Sequence, residues 1–181
     1  MPAEIPEPWL GFLRDVDRAL RQPVEVHCLG GFVLAILWGL PRPTGDVDFV
    51  EIKPMAAGDE LVKIAGDGSE LAARYRIHFH RVTVAEYPEG YGARLVDITP
   101  KRLHRLNLKA FEVHDLALAK LARNSPRDRG DVEFLAMKGV LDLQLLLKRF
   151  ETEMRPYLLN EARETATLRL WLDEFFGARE D

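Results

Sequence analysis

Cysteine is almost absent. Cys28 stands alone in 181 residues, so no internal disulfide can form, and a reducing compartment is the expected setting. Nowhere does an apolar run approach the roughly 20 residues that a membrane-crossing helix needs, so no membrane is expected among the partners. Positive charge is in short supply too. The 25 Lys and Arg are outnumbered by 29 Asp and Glu, a net charge of −4, which argues against a general nucleic-acid coat while leaving room for a local basic groove. There is no internal repeat and no low-complexity tract, and the opening "MPAEIPEPWLGF" is acidic and proline-rich, unlike a secretory leader. These absences together give a cytoplasmic protein as the expectation. What is present, 47% hydrophobic and 30% charged residues, is the make-up of an ordinary folded chain long enough to bury a core.

Trp9, Phe12, Leu13, Val16 and Leu20 fall at helical spacing, with Pro8 in the first turn and Pro23 beyond the end. "VEVHCL" then reads as a strand cut short by Gly30 and Gly31, "FVLAILWGL" as a mostly buried helix, and Val47 to Ile52 as a second strand after a proline-rich link. Residues 59–74 pattern as a helix broken at "GDG". "RIHFHRVTVAEY" alternates as one strand or two, "ARLVDIT" as another, and "RLNLKAFEV" as a short edge segment. After Glu112 every segment is helical in pattern, with breaks at Ser125-Pro126, Gly139 and Pro156. The leucines from Leu141 to Leu147 are dense enough for a helix buried nearly all round. The expected fold class is α+β: a mixed sheet with flanking helices over residues 1–112, then a C-terminal helical region over 113–181.

The stretch "LPRPTGDVDFV" carries the chemistry. Asp46 and Asp48, at i and i+2 on a strand, project to the same face. Two like charges so placed repel unless something positive sits between them, and Mg²⁺ takes hard oxygen ligands from one or two carboxylates plus substrate phosphates. Upstream, the strand–Gly30-Gly31–helix sequence lets the backbone approach a ligand closely and offers free N–H groups to an anion. Alone, a glycine pair is ordinarily a turn and D-x-D ordinarily a solvated strand edge. Their order and spacing favour a site for a nucleoside triphosphate and a divalent metal, Mg²⁺ or Mn²⁺.

"LGGFVLAILWGLPRPTGDVDFV" resembles the signature of the nucleotidyltransferase fold shared with DNA polymerase beta: glycine pair, helix, then D-x-D on the next strand. Gly30-Gly31 followed by Arg42, Thr44, Asp46 and Asp48 is similar to the minimal bacterial nucleotidyltransferases of the AbiEii/AbiGii toxin type, although the gap from Gly31 to Asp46 is longer than in many members of the superfamily. The resemblance implies a third carboxylate from a neighbouring strand, for which Asp97 in "RLVDIT" is the candidate. It also implies phosphate seating by Gly30, Gly31, Arg42 and Thr44. Downstream, "HDLALAKLARNSPRDRGDVEFLA" is similar to the helical segment of those toxins, which puts Lys120 and Arg123 forward as triphosphate contacts and Arg127, Asp128 and Asp131 as a second motif. Surface or inter-helix ion pairs are the competing reading of these five. The implied activity is transfer of a nucleoside monophosphate from an NTP to a tRNA-like RNA or a protein acceptor, with a cognate antitoxin as a further partner. A nucleotide-binding module without transfer remains the alternative.

Two further features read as ordinary. His78 and His80 share a strand face, but with Cys28 they match no usual zinc spacing, so a wet strand face is expected. "KRLHRLNLK", residues 101–109, is locally basic and suits either a solvated edge or an RNA backbone.

Overall fold

The computed structural model describes residues 4–177, which divide into two units: the chain up to Thr83 with Leu95–Phe111, and Val84–Arg94 with the chain from Glu112 onward. The first is a five-stranded sheet with helices. Helix α1 (Trp9–Ala19) leads to β1 (Val24–Leu29), then a single helical turn, α2 (Gly30–Val33), which widens into a π turn over Leu34–Trp38 and stops at Gly39. Strand β2 (Asp46–Lys53) follows, then α3 (Gly58–Ala65), α4 (Glu70–Tyr75), β3 (His78–Arg81), the two-residue β4 (Val96–Asp97) and β5 (Leu106–Ala110).

The strands order as β3-β2-β1-β5-β4, with β1–β2 and β4–β5 antiparallel and β1–β5 and β2–β3 parallel. The sheet is therefore mixed, as the α+β expectation requires. Its two faces differ because side chains alternate along each strand. One face holds Val24, Val26, Cys28, Val47, Phe49, Ile52, Phe79, Leu106 and Leu108, all buried, and α1 supplies Phe12, Leu13 and Val16 to the same core. Phe79 links the layers, 5.7 Å from Phe12 and 6.1 Å from Phe49 between ring centres. The other face is polar: Glu25 and His27 on β1, Asp46, Asp48, Glu51 and Lys53 on β2, Asn107 and Lys109 on β5. A bulge in β2 opposite His27/Cys28 keeps Glu51 and Lys53 on that polar face.

In this first unit the sequence expectations differ from the fold at β5 and beyond β3. β5 is an interior strand, not an edge segment, because Leu106, Leu108 and Ala110 are needed beneath the sheet. "RIHFHRVTVAEY" contributes only four strand residues: the Val82 N–H still donates to the Phe49 carbonyl at 2.8 Å, and the alternation beyond it finds no partner strand.

In the second unit, Val84–Arg94, ending in a 3-10 turn (Glu89–Arg94), packs with α5 (Val113–Leu118), α6 (Pro126–Met137), α7 (Leu143–Arg149, continued by a π turn over Phe150–Met154) and α8 (Glu161–Phe176). Leu116, Leu121, Val132, Leu135, Leu146, Phe150, Leu168 and Trp171 form its core. Helix α7 is not buried all round: Leu146 faces inward while Leu147 is exposed. What ties this unit beyond its apolar core is a charge network. Arg94 forks onto Asp115 (2.9 Å to each oxygen) and reaches Glu153 at 2.7 Å, and Arg149 bonds both Glu112 and, at 3.1 Å, Asp115. Every charge there is met by an opposite one, which is the condition for burying charge at tolerable cost. No described helix is long and apolar enough to cross a membrane.

Candidate active site

The end of β1 and the start of β2 lie side by side, Leu29 opposite Asp48. The chain must leave β1 beside that aspartate, and Gly30 does so at φ +82°, in the left-handed region that favours glycine. A Cβ on Gly30 would stand 2.5 Å from Asp48 Oδ2, so any side chain there would have to displace that carboxylate. Gly31 is roofed by the link between α2 and β2. A Cβ on it would meet the Arg42 guanidinium at 3.2 Å and Thr44 Oγ1 at 3.3 Å. Thr44 Oγ1 in turn donates to the Asp46 carbonyl at 3.4 Å. Gly30, Gly31, Arg42, Thr44, Asp46 and Asp48, spread over 19 positions of the chain, are thus gathered around one turn.

Two residues read as ordinary in the sequence belong to this cluster. Parallel pairing of β2 with β3 sets Asp46 opposite His78 and Asp48 opposite His80. His80 Nδ1 lies 2.8 Å from Asp48 Oδ1, and His78 Nε2 lies 3.4 Å from Asp46 Oδ1. The signal was present as H-x-H repeating the period of D-x-D. What the sequence did not carry was the register that faces one pair with the other. The Asp46 side chain is about half exposed and that of Asp48 about a quarter, so both are open to a ligand.

Asp97 does not join them, which corrects its assignment as the third carboxylate. It sits on β4, three strands from β2, a lateral separation of about 14 Å at about 4.8 Å per strand. Its oxygens are engaged by Lys109 Nζ at 2.8 Å and the Thr99 N–H at 2.9 Å. The Lys109 ammonium holds its carboxyl down at about 2. Among the described residues, no three or more His, Cys, Asp or Glu side chains are grouped to hold a metal ion. The pair of hard carboxylate oxygens from Asp46 and Asp48 nonetheless fits Mg²⁺ as it is held by one or two protein carboxylates and completed by substrate phosphates. Cys28, fully buried behind Asp48, has its thiol pushed far up by burial and then by that neighbouring charge, so it offers no nucleophile.

The downstream residues form a cluster of their own in the second unit. Lys120, buried, bonds Asp131 at 2.7 Å and Asp128 at 3.4 Å. Arg123 grips Asp128 with two bonds, of 2.7 and 2.6 Å. Asp128 also closes the capping box that starts α6, exchanging bonds with Ser125. Burial alone would raise the Asp128 carboxyl, but Arg123, Ser125 and Lys120 hold it well below the usual range. Arg127 is exposed in the first turn of α6. Ion pairing between the turn that follows α5 and the start of α6 therefore accounts for Lys120, Arg123, Asp128 and Asp131 as they stand.

A family described as "Nucleotidyltransferase of unknown function (DUF6036)" matches residues 13–176, a span that takes in both units. The chain belongs to that family. No curated protein and no solved structure matches it. Membership in a nucleotidyltransferase family agrees with the mixed sheet and flanking helices, and with a glycine turn set against a D-x-D strand. In this nucleotidyltransferase-family chain the turn and Asp48 are in contact, not merely near in sequence.

Proposed function

We propose that the protein is a Mg²⁺-dependent nucleotidyltransferase that moves a nucleoside monophosphate from an NTP to an acceptor hydroxyl. The observation that carries this reading is the contact of Gly30 with Asp48 beneath the Arg42–Thr44 roof. Asp46 and Asp48 would hold the metal, with Mn²⁺ as a substitute. Bound there, the ion supplies positive charge to the phosphate oxygens and to the departing pyrophosphate. The backbone of Gly30-Gly31 seats the β and γ phosphates, Thr44 offers a hydroxyl to them, and the Arg42 fork suits two phosphate oxygens at once. The acceptor hydroxyl gives its proton to solvent as its oxygen bonds to the α-phosphorus; the bond from that phosphorus to the α–β bridging oxygen breaks, and pyrophosphate leaves with that oxygen. On the AbiEii/AbiGii resemblance, the acceptor is a tRNA-like RNA or a protein, and the chain acts as the toxin-like partner of a cognate antitoxin.

The position of Asp97 favours a second reading. With two carboxylates rather than three, the site also suits a module that binds nucleotide and Mg²⁺ without transfer. Transfer of label from α-labelled NTPs separates the two. The catalytic reading expects labelled product from the wild type and none from Asp46→Asn/Asp48→Asn. The module reading expects Mg²⁺-dependent NTP binding and no product.

A further inference from the structure

The chain is acidic overall, yet one end of its sheet presents a row of cations. The loop entering β5 carries Lys101, Arg102, His104 and Arg105, all exposed. It is a fixed platform. The buried carboxylate of Asp17 on α1 accepts the N–H groups of His104 (2.9 Å), Arg105 (2.7 Å) and Leu106 (2.8 Å). The Arg105 guanidinium donates to the Leu20 carbonyl at 2.7 Å. Asp17 therefore spends its charge inward on backbone, and Lys101, Arg102 and His104 are left on the exposed surface. The same bonds press the loop against the end of α1, where the side chains of Arg18 and Arg21 are 76% and 91% exposed. Arg18 shares its charge with Asp15, and Arg21 lies 3.8 Å from Glu60, so neither is locked into a buried pair.

This platform stands at the opposite end of β1 from the acid pair. Val24 donates to the Arg105 carbonyl at 2.7 Å, while Leu29, five residues on, lies opposite Asp48. At about 3.3 Å per residue the separation is about 17 Å. Between the two runs the polar sheet face, where Lys53 lies 4.0 Å from Glu25 and from Glu51 and Lys109 bonds Asp97 at 2.8 Å, so its charges are balanced. A ligand suited to the platform itself carries a run of anionic groups and needs little apolar contact. The loop has no Trp, Tyr or Phe of the kind that anchors protein interfaces.

We infer that the 101–105 platform, with Arg18 and Arg21, binds the phosphate backbone of an RNA whose reactive end reaches the Asp46–Asp48 site. Phosphate contacts of this kind position a strand without reading its sequence. Naming the RNA as acceptor rests on the nucleotidyl-transfer reading; the binding itself does not.

The test uses the full chain and a fluorescein-labelled RNA hairpin with a single-stranded 3′ end, followed by fluorescence anisotropy over a salt series. Wild type is expected to bind at low salt and weaken steadily as salt rises. Lys101→Glu/Arg102→Glu, both on the surface, is expected to bind on the order of tenfold more weakly or worse, with a shallower salt dependence. An unchanged circular dichroism melt shows that this variant is folded, and Arg18→Gln/Arg21→Gln supplies an independent second variant. Asp46→Asn/Asp48→Asn is expected to keep RNA affinity. RNA binding equal to wild type in both charge variants would overturn the platform, as would no binding by wild type. A Mg²⁺–NTP thermal shift is run in parallel. If it persists while RNA binding is absent, the platform fails alone; if it too is absent, the nucleotide reading fails.

Discussion

Gly30 and Gly39 both have positive φ, +82° and +72°, but only Gly30 is crowded. Gly39→Ala meets nothing within 4 Å, so it should cost about 1–2 kcal/mol of backbone strain and leave NTP binding intact. Gly30→Ala adds a collision with Asp48 to the same strain. It should melt lower than Gly39→Ala and lose Mg²⁺–NTP binding, a contrast that urea titration and calorimetric binding measure together. Asp97→Asn, by contrast, removes only a partner of Lys109 on an exposed strand end. It should cost below about 1 kcal/mol and leave NTP binding as it was. At this scale the sequence was legible where chemistry follows from neighbours in the chain: the glycine pair, Arg42, Thr44 and the D-x-D are all close enough for spacing to relate them. Asp97, Asp17 and the histidines were not, because each acquires its partner from another strand or helix, and pairing order is not written in any local pattern.

Elements show the same division. β1 falls on its expected residues, since "VEVHCL" is bounded by a proline and a glycine pair, and α3 and α4 break at the expected "GDG" with Ser69 as cap. "RLNLKAFEV" reads as a short edge segment, yet β5 is an interior strand whose Asn107 and Lys109 face the polar side of the sheet. In the helical unit, stability depends on paired carboxylates. Burial alone would raise Glu112, but His114 and Arg149 bring it to about 2, against 4.5 as the ordinary value. A carboxyl lowered on folding stabilises fully above its unfolded pKa, and that contribution is lost as pH falls through the folded one. Thermal melts should therefore drop between about pH 4.5 and 2, a loss worth roughly 3 kcal/mol from Glu112 in all. Asp128 adds to it in the same direction. Lys120→Met should be more damaging at neutral pH. It takes a buried cation away from both Asp131 and Asp128, at a cost of about 3–5 kcal/mol read by urea unfolding.

For the whole molecule, the family match and the contact of the glycine turn with Asp48 make nucleotide and metal the ligands to try first. Any ligand that binds only the folded chain raises its stability. At about 100 times its dissociation constant, Mg²⁺–NTP should add about 2.7 kcal/mol, a rise in Tm on the order of 5–10 °C for a chain of this size. The shift should vanish when either Mg²⁺ or the Asp46–Asp48 pair is removed. The central claim, however, is transfer. The most direct test incubates the protein with each of the four α-labelled NTPs, Mg²⁺, total RNA and a cell lysate, with Asp46→Asn/Asp48→Asn alongside. Label appearing in RNA or in one protein band with the wild type, and absent with the mutant, is the result predicted here. No label from the wild type under conditions where NTP and Mg²⁺ demonstrably bind would contradict it, and would leave a nucleotide-binding module in its place.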